Sequence, residues 1–325
     1  MMQRRAFVNG MVAAFIPLVA AAQSQRRAWR LGFLGGTEQG NPGPAILREG
    51  MRSLGYVEGK DYVLEVRFGR GDADHALAVA KELAGLPVDL IVTQGSEATQ
   101  AAKHATQSIP IVFAGPSYPI EEGLVSSFAH PGRNITGITV AMSDTVAKHL
   151  QLLRDMVPAL SDVAVLWSAA NSGHALALRD TQGAAAPLRL KIHPVSTASA
   201  EDRARALAMI ERVQPGALIV QPSVSLQPDD VSRIADLATR LRIPSITINR
   251  QLAERGLLMA YGADIRELQR RIPGYVDRIF KGARPGDLPV ERPTRFELIV
   301  NLKTAKAIGL TLTPALLARA DELIR

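Results

Sequence analysis

The stretch Val88-Asp-Leu-Ile-Val-Thr-Gln-Gly-Ser-Glu-Ala98 carries the pattern that decides the fold of this 325-residue chain. A continuous apolar run ends in Thr93, Gln94 and Gly95, and a helix-compatible segment follows at once, which indicates a buried parallel strand that turns directly into a helix. The free N–H groups at the start of such a helix suit a carboxylate, a phosphate or a polar ligand edge. We expect Gly95 to let the backbone approach a ligand closely and Ser96 to be the N-cap of the helix.

A second copy of this strand and its surroundings follows later in the chain. Leu90-Ile-Val-Thr-Gln94 and Leu218-Ile-Val-Gln221 are each followed, about twenty residues later, by Ile-Pro and another apolar strand, in Ile109-Pro-Ile-Val-Phe113 and Ile243-Pro-Ser-Ile-Thr-Ile248. Strand and helix patterns alternate throughout both copies, which is typical of a parallel sheet covered by helices. The sequence therefore predicts an α/β fold of two similar, doubly wound parallel-sheet lobes, joined by a multi-strand hinge, with a ligand cleft between them.

The predicted domain division interleaves the two lobes. Residues 23–140 and about 249–285 are assigned to lobe 1, and residues 141–248 and about 286–325 to lobe 2. We predict that the connection around Asn134–Val140 is extended and that the chain ends in a helix from Thr313 to Ile324. Several crossings between the lobes would form a hinge that allows them to close around a ligand.

The N-terminus has the pattern of an export signal. Arg4-Arg5 precede the apolar segment Met11–Ala22, which closes with three alanines and is too short to span a bilayer comfortably. Pro17 argues against a buried first helix. The segment Arg4-Arg5-Ala-Phe-Val8 also fits a twin-arginine signal, and its context leaves that route and the general secretory route open. We therefore predict that residues 1–22 are removed and that the mature chain is periplasmic and does not span the membrane.

Composition and missing motifs exclude several classes of function. The net charge is +7, but the basic residues are scattered through helices and only 5% of residues are aromatic, so we expect no nucleic-acid binding. There is no cysteine, which excludes disulfides, thiolate metal sites and cysteine nucleophiles. The six histidines are dispersed, and neither a nucleophile elbow nor a nucleotide-binding glycine motif is present. We predict no metal, no cofactor and no enzymatic activity.

A family resemblance covers essentially the whole mature chain. The segments that carry it are Leu54-Gly-Tyr-Val-Glu-Gly59, Ile109-Pro-Ile-Val-Phe113, Gly123-Leu-Val125, Pro131-Gly132, Asn134-Ile-Thr-Gly137, Met259-Ala-Tyr-Gly262, Leu288-Pro-Val290 and Pro293-Thr-Arg-Phe-Glu-Leu-Ile-Val-Asn-Leu-Lys-Thr-Ala-Lys-Ala-Ile-Gly-Leu310. Together they resemble the ABC-transporter substrate-binding proteins related to the tryptophan- and tyrosine-type binders. The resemblance implies a periplasmic binding fold of the first type, a small-molecule solute held between the lobes, and delivery to an inner-membrane ABC permease with a cytoplasmic ATPase. We expect a monomer.

The ligand class is predicted from one departure from the family pattern. Many relatives carry an Asp-Pro pair shortly after the strand that matches Ile109–Phe113, and that carboxylate could pair with an amino acid's ammonium. Here the pair is Tyr118-Pro119, which offers a ring face and a neutral hydroxyl. Glu121 and Glu122 are expected in the first turn of the next helix. The general prediction is a small polar or aromatic solute that is carboxylate- or amino-acid-like. Within that class, Tyr118 favours a carboxylate, an aromatic acid or a nucleobase-like compound over a standard α-amino acid.

The candidate ligand-binding residues lie in the turns that follow the strands facing the cleft. They are Gly36, Thr37, Gly95, Ser96, Gly115, Tyr118, Asn171, Gln221, Asn249 and Tyr261. Some have a purely structural alternative: Asn171 could only cap a helix, Gln221 could only end a strand before Pro222, and Tyr261 could be a core residue. Two other functions remain open. An exported α/β enzyme could use the same cleft, whereas a sugar-repressor-like regulator would need a helix-turn-helix where the export signal stands.

Overall fold

The computed structural model describes residues 27–38, 41–223 and 226–325, so the predicted export signal at residues 1–22 lies outside the described residues. Lobe 1 begins with the elements β1 (Trp29–Gly35), α1 (Gly43–Ser53), β2 (Tyr62–Phe68), α2 (Ala73–Gly85), β3 (Leu90–Gln94), α3 (Gly95–Ala105), β4 (Ile111–Ala114) and β5 (Ile135–Ile138). Its five strands are all parallel and lie in the order β2-β1-β3-β4-β5. Leu90, Ile91 and Val92 are at most 2% exposed, because helices cover both faces of this sheet.

Lobe 2 repeats this arrangement. Its elements are α4 (Ser143–Met156), β6 (Asp162–Trp167), α5 (Ser172–Ala185), β7 (Lys191–Ser196), α6 (Ala200–Val213), β8 (Leu218–Val220), α7 (Pro228–Arg240), β9 (Ser245–Thr247), α8 (Arg250–Glu254) and β10 (Met259–Gly262). Strands β7-β6-β8-β9-β10 are parallel and follow one another as β2-β1-β3-β4-β5 do in lobe 1. The predicted α/β fold with two similar parallel-sheet lobes is confirmed.

The last part of the chain completes both lobes. Its elements are α9 (Ile265–Phe280), a short 3₁₀ helix (Pro285–Asp287), β11 (Glu297–Asn301), α10 (Leu302–Ala307), α11 (Pro314–Arg319) and β12 (Glu322–Ile324). Helix α9 buries Leu268, Ile272 and Val276 in the same apolar cluster as Leu31 and Leu47, so it covers one face of the lobe 1 sheet. Strands β11 and β12 extend the lobe 2 sheet beyond β10.

The predicted boundaries of the lobes need correction after residue 249. Helix α8 and strand β10 were assigned to lobe 1, but β10 pairs with β9 and β11 in the lobe 2 sheet. Residues 286–291 were assigned to lobe 2, but Leu288 and Val290 are buried in the lobe 1 clusters. The chain returns to lobe 1 only after Gly262, because the apolar strand before it fits beside β9.

One further local prediction was wrong. The predicted helix Thr313–Ile324 stops at Arg319, because Ala320 has extended dihedrals and Glu322–Ile324 pair as β12 with β11. In this short segment, pairing with a distant strand outweighs local helix preference. The structure also adds a detail that the sequence pattern did not address: β11 runs antiparallel to β10 at the edge of the otherwise parallel lobe 2 strands.

Three chain segments cross between the lobes, at residues 139–142, 263–264 and 292–296. Beside the first and third crossings, Thr139 N donates to Glu291 O at 3.0 Å and Glu291 N donates to Gly137 O at 3.0 Å. Arg292 in the third crossing forms a 2.6 Å ion pair with Asp144 at the start of α4. The crossings therefore form a hydrogen-bonded hinge.

Throughout residues 27–38, 41–223 and 226–325, we find no helix with both the length and the apolar character needed to cross a bilayer.

Candidate functional site

The cleft between the lobes opens at the carboxyl ends of their parallel strands and contains three adjacent chambers. The inner chamber, about 120 Å³, lies between the start of α3 and the turn before α5. The hinge chamber, about 160 Å³, lies beside the starts of α8 and α9. The mouth, about 600 Å³, is lined by the turn after β1 and by the loop after β8. Ile248 and Ile265 line both the inner chamber and the hinge chamber, so the two spaces adjoin.

The start of α3 forms the lobe 1 wall of the inner chamber. Helix α3 follows β3 without a linker, and Gly95 makes this turn with a φ of +81°, a conformation that glycine adopts without strain. Gln94, not Ser96, occupies the N-cap position, so the predicted cap is wrong. Ser96 is the second helical residue, and its hydroxyl accepts from Ser117 N–H at 3.2 Å. The first N–H groups of a long helix therefore border the chamber.

A buried carboxyl, Glu122, supports this wall from behind. Its Oε1 accepts from the Ser96 hydroxyl at 2.9 Å and from Tyr118 N–H at 3.1 Å. Burial raises the pKa of Glu122. The sequence predicted Glu122 in the first turn of a helix, but the residue lies in a series of turns. Gly173 of α5 packs directly against it, since a Cβ at Gly173 would lie 2.7 Å from Glu122 Oε1.

Glu97 faces lobe 2 across the inner chamber. Its side chain lines the chamber close to the side chain of Asn171 in lobe 2. Burial raises the pKa of Glu97 to about 7, and the nearby Asn171 side chain offsets part of that rise. Glu97 was not among the predicted site residues, although it lies in the stretch Val88–Ala98. An acidic residue in a first helical turn usually reflects the helix dipole and gives no separate signal.

His174 organises the lobe 2 wall of the inner chamber. Its Nδ1 accepts from Ser168 N–H at 3.1 Å, so Nε2 carries the proton and donates to Pro222 O at 3.0 Å. The ring thereby ties the turn after β6 to the turn after β8. Burial lowers the pKa of His174 to about 4, so the ring is neutral at pH 7. The sequence analysis treated this histidine only as one of six dispersed ones.

Asn171 has both a structural and a cleft-lining position. Its side chain is the N-cap of α5 and accepts from His174 N–H. It also lines the inner chamber and contacts Glu97. Within residues 27–38, 41–223 and 226–325, no cluster of three or more metal-ligating side chains is present.

Comparison with known proteins now assigns the family. Residues 45–324 match the family model described as ABC transporter substrate binding protein. This chain belongs to the ABC transporter substrate-binding protein family.

Individual relatives of this ABC transporter substrate-binding protein are distant. A tyrosine-binding protein from Clostridioides difficile (strain R20291) is 22% identical over 262 residues, which cover 80% of this chain and 74% of the relative. A conserved domain protein from Vibrio cholerae O1 biovar El Tor has a TM-score of 0.83 at 23% identity and covers 91% of this chain and 100% of its own. A Streptococcus pneumoniae ABC domain in complex with L-Trp has a TM-score of 0.80 at 20% identity, with 91% and 100% covered. These structural likenesses support the fold.

Seven predicted site residues of the ABC transporter substrate-binding protein line the chambers. Gly95, Ser96, Gly115 and Asn171 line the inner chamber, Gly36 and Thr37 line the mouth, and Asn249 lines the mouth and the hinge chamber. Asn249 is also the N-cap of the short helix α8. Their contact with a solute stays a prediction.

The other three predicted site residues are not among the residues that line these chambers. The Tyr118 ring packs with Met142, Val146 and Ala177 of lobe 2. Gln221 is buried where β8 ends. Tyr261 is half-buried, packs against the lobe 2 core and stacks on Phe296. Its contact with a solute, like that of Tyr118 and Gln221, stays a prediction.

Proposed function

We propose that this ABC transporter substrate-binding protein is the extracytoplasmic receptor of an ABC uptake system and that it binds an amino-acid-like solute between its lobes. Family membership supports delivery to an inner-membrane permease. The N-terminal sequence supports export to the periplasm, by the general secretory or the twin-arginine route. The relatives named above as tyrosine-binding and as an L-Trp complex support the class of solute.

The observation that carries the ligand proposal is Glu97 at the junction of the two lobes. Glu97 and the neutral His174 are the titratable side chains that line the inner chamber. A partly desolvated carboxylate that no ion pair engages among the described residues is suited to receive an ammonium group. The apolar side chains of Val140, Met142 and Ile248 line the same space and suit the body of the solute.

This proposal replaces the expectation drawn from Tyr118. The absence of an acidic residue before Pro119 pointed away from α-amino acids, because no carboxylate remained there for an ammonium group. Glu97 supplies a carboxylate from a different element, the first turn of α3. The absence of an acidic residue at position 118 therefore still leaves a carboxylate that can pair with the ammonium group of an amino acid.

Calorimetric titration of residues 23–325 tests the proposal. The probes are L-tyrosine, L-tryptophan and the amine-free analogues 3-(4-hydroxyphenyl)propionate and indole-3-propionate. We expect at least one amino acid to bind at pH 8, and Glu97→Gln to weaken it by about tenfold or more, because hydrogen bonds to charged groups contribute about 1.5–3 kcal/mol. Glu49→Gln, the same change at an exposed position of α1 that lines none of the three chambers, is the matched control.

The pH dependence provides an independent readout. With a pKa of about 7 for Glu97, its ionised fraction rises as the pH rises from 6 to 8, so the affinity for the amino acid should rise by about tenfold. Glu97→Gln should remove this dependence. Equal binding of an amino acid and its amine-free analogue would contradict amine recognition, and chemical conversion of a bound solute would favour an enzyme.

A further inference from the structure

The hinge chamber contains an unused hydrogen-bond acceptor. Gln269, in the second turn of α9, is 6% exposed and lines this chamber. Its Oε1 is buried and has no hydrogen-bond partner among the described residues. Buried amide oxygens are normally paired, since leaving one unpaired costs the desolvation of that group. Gln269 also borders a small apolar cavity beside the hinge chamber, so a turn of its amide toward the hinge chamber would let the unpaired oxygen accept from a bound solute.

Two neighbouring amide oxygens are already engaged. Gln94 also lines the hinge chamber, and its Oε1 accepts from Asn41 Nδ2 at 2.7 Å. Asn249 Oδ1 accepts from Gln251 N–H at 2.8 Å. Among the described residues that line this chamber, Gln269 is thus the one whose amide oxygen is both buried and unpaired.

Three of the four charged side chains that line the hinge chamber are engaged, whereas Arg266, which also lines the mouth, has no ion pair among the described residues; Glu297 is paired with Arg295. Arg250 is ion-paired with Glu254 and Glu322. Asp264 caps α9 by accepting from Arg266 N–H and Glu267 N–H. A neutral donor fits this environment better than an ion, because an ion would have to compete with these pairs.

The remaining walls fit a flat apolar group. The hinge chamber is lined by the apolar residues Ile248, Ala260, Ile265 and Ile299. Two of them, Ile248 and Ile265, also line the inner chamber. A ring that extends from the inner chamber would pass between Ile248 and Ile265. Its far edge would then reach the chamber that holds Gln269.

We propose that the hinge chamber is a subsite for the distal end of an aromatic solute that carries one neutral hydrogen-bond donor, a phenol O–H or an indole N–H, and that Gln269 Oε1 is its acceptor. This inference rests on the proposed function, because it needs an amino-acid-like solute in the inner chamber. The subsite would explain how the receptor distinguishes aromatic rings of similar size that differ in one hydrogen-bond donor.

Matched pairs of amino acids test the subsite by calorimetric titration of residues 23–325. L-Tyrosine is compared with L-phenylalanine, and L-tryptophan with 3-benzothienyl-L-alanine, in which sulfur replaces the indole N–H. We expect the donor-bearing member of at least one pair to bind about tenfold more tightly. In Gln269→Met the two members of that pair should bind within about twofold, because the donor-bearing one is weakened.

The control variant is Gln182→Met, at an exposed position of α5 that lines none of the three chambers, which should leave the preference unchanged. Melting curves of both variants establish that they are folded. The subsite is overturned if the wild-type protein does not prefer the donor-bearing amino acid, or if that preference survives in Gln269→Met. Neither result would contradict the proposed function as long as Glu97→Gln still weakens every bound amino acid. Absence of binding by all four probes overturns both the ligand class and the subsite.

Discussion

The two lobes have the same strand order but present different chemistry to the cleft. In lobe 1 the third strand of the repeat runs straight into α3, so the helix N–H groups reach the inner chamber. In lobe 2 the equivalent strand β8 is followed by residues 221–227 before α7 begins. Pro222 in this segment and Pro228 at the start of α7 have no N–H group. The two lobes therefore share their strand order but not the helix N–H groups that follow the third strand.

The polar side chains differ between the lobes as well. Lobe 1 contributes two carboxyls, Glu97 and Glu122, and burial raises the pKa of each. Lobe 2 contributes the neutral His174, whose pKa burial lowers, and the amide of Asn171. Desolvation disfavours the charged form in both cases, but it shifts acids and bases in opposite directions. The two walls should consequently respond to pH with opposite sign.

The largest effect is expected from removing the carboxyl that supports the lobe 1 wall. Glu122→Leu leaves the Ser96 hydroxyl and Tyr118 N–H without their acceptor, and we expect a loss of about 3 kcal/mol in the free energy of unfolding. Urea denaturation at pH 7 measures it. Glu122→Gln keeps one acceptor oxygen and should cost about 1 kcal/mol or less. If the leucine variant were as stable as the glutamine variant, Glu122 would not be supporting this wall.

The second effect concerns the lobe 2 wall. His174→Leu leaves Ser168 N–H and Pro222 O unpaired, and we expect it to lower the free energy of unfolding by about 2 kcal/mol at pH 7.5. The folded protein keeps this imidazole neutral down to about pH 4, whereas the unfolded chain protonates it near pH 6.5. Wild-type stability should therefore fall as the pH drops from 6.5 to 4.

His174→Leu should lose less stability than the wild type as the pH drops from 6.5 to 4, because the variant lacks one of the buried neutral histidines. His149, also buried with a pKa lowered to about 4, contributes the same acid response from the lobe 2 core and remains in the variant. Chemical denaturation at pH 7.5, 6 and 5 separates the two histidines. Identical slopes for the variant and the wild type would show that His174 is not held neutral.

The smallest effect is expected at the contact between the lobes. Asn171→Ala removes the N-cap of α5 and the partner of Glu97, and we expect a loss of about 1 kcal/mol. Thermal melting measures it. Asn249→Ala, which removes the N-cap of α8, is the matched control for capping alone. A substantially smaller loss for Asn171 than for Asn249 would argue against a stabilising contact with Glu97.

The sequence was sufficient for the architecture because continuous apolar strands and helix patterns alternate in two copies. It was less informative where direction or partner choice matters. Strand β11 is antiparallel, and β12 forms only because a distant strand is available, neither of which local periodicity encodes. In the site, turn positions such as Gly95 and Asn171 were predictable from the strand ends. The orientation of Tyr118 was not, because it depends on packing against lobe 2.

The interleaved hinge also shapes how the protein can fold. Ile272 of α9 packs in the cluster that contains Leu31, and the lobe 2 sheet is completed by Glu297–Asn301 and Glu322–Ile324. Each core thus joins segments from distant parts of the chain, and such long-range closure slows folding. Neither lobe can be finished while the polypeptide is still emerging from the ribosome. Final packing of both lobes must therefore wait until nearly the whole chain has been made.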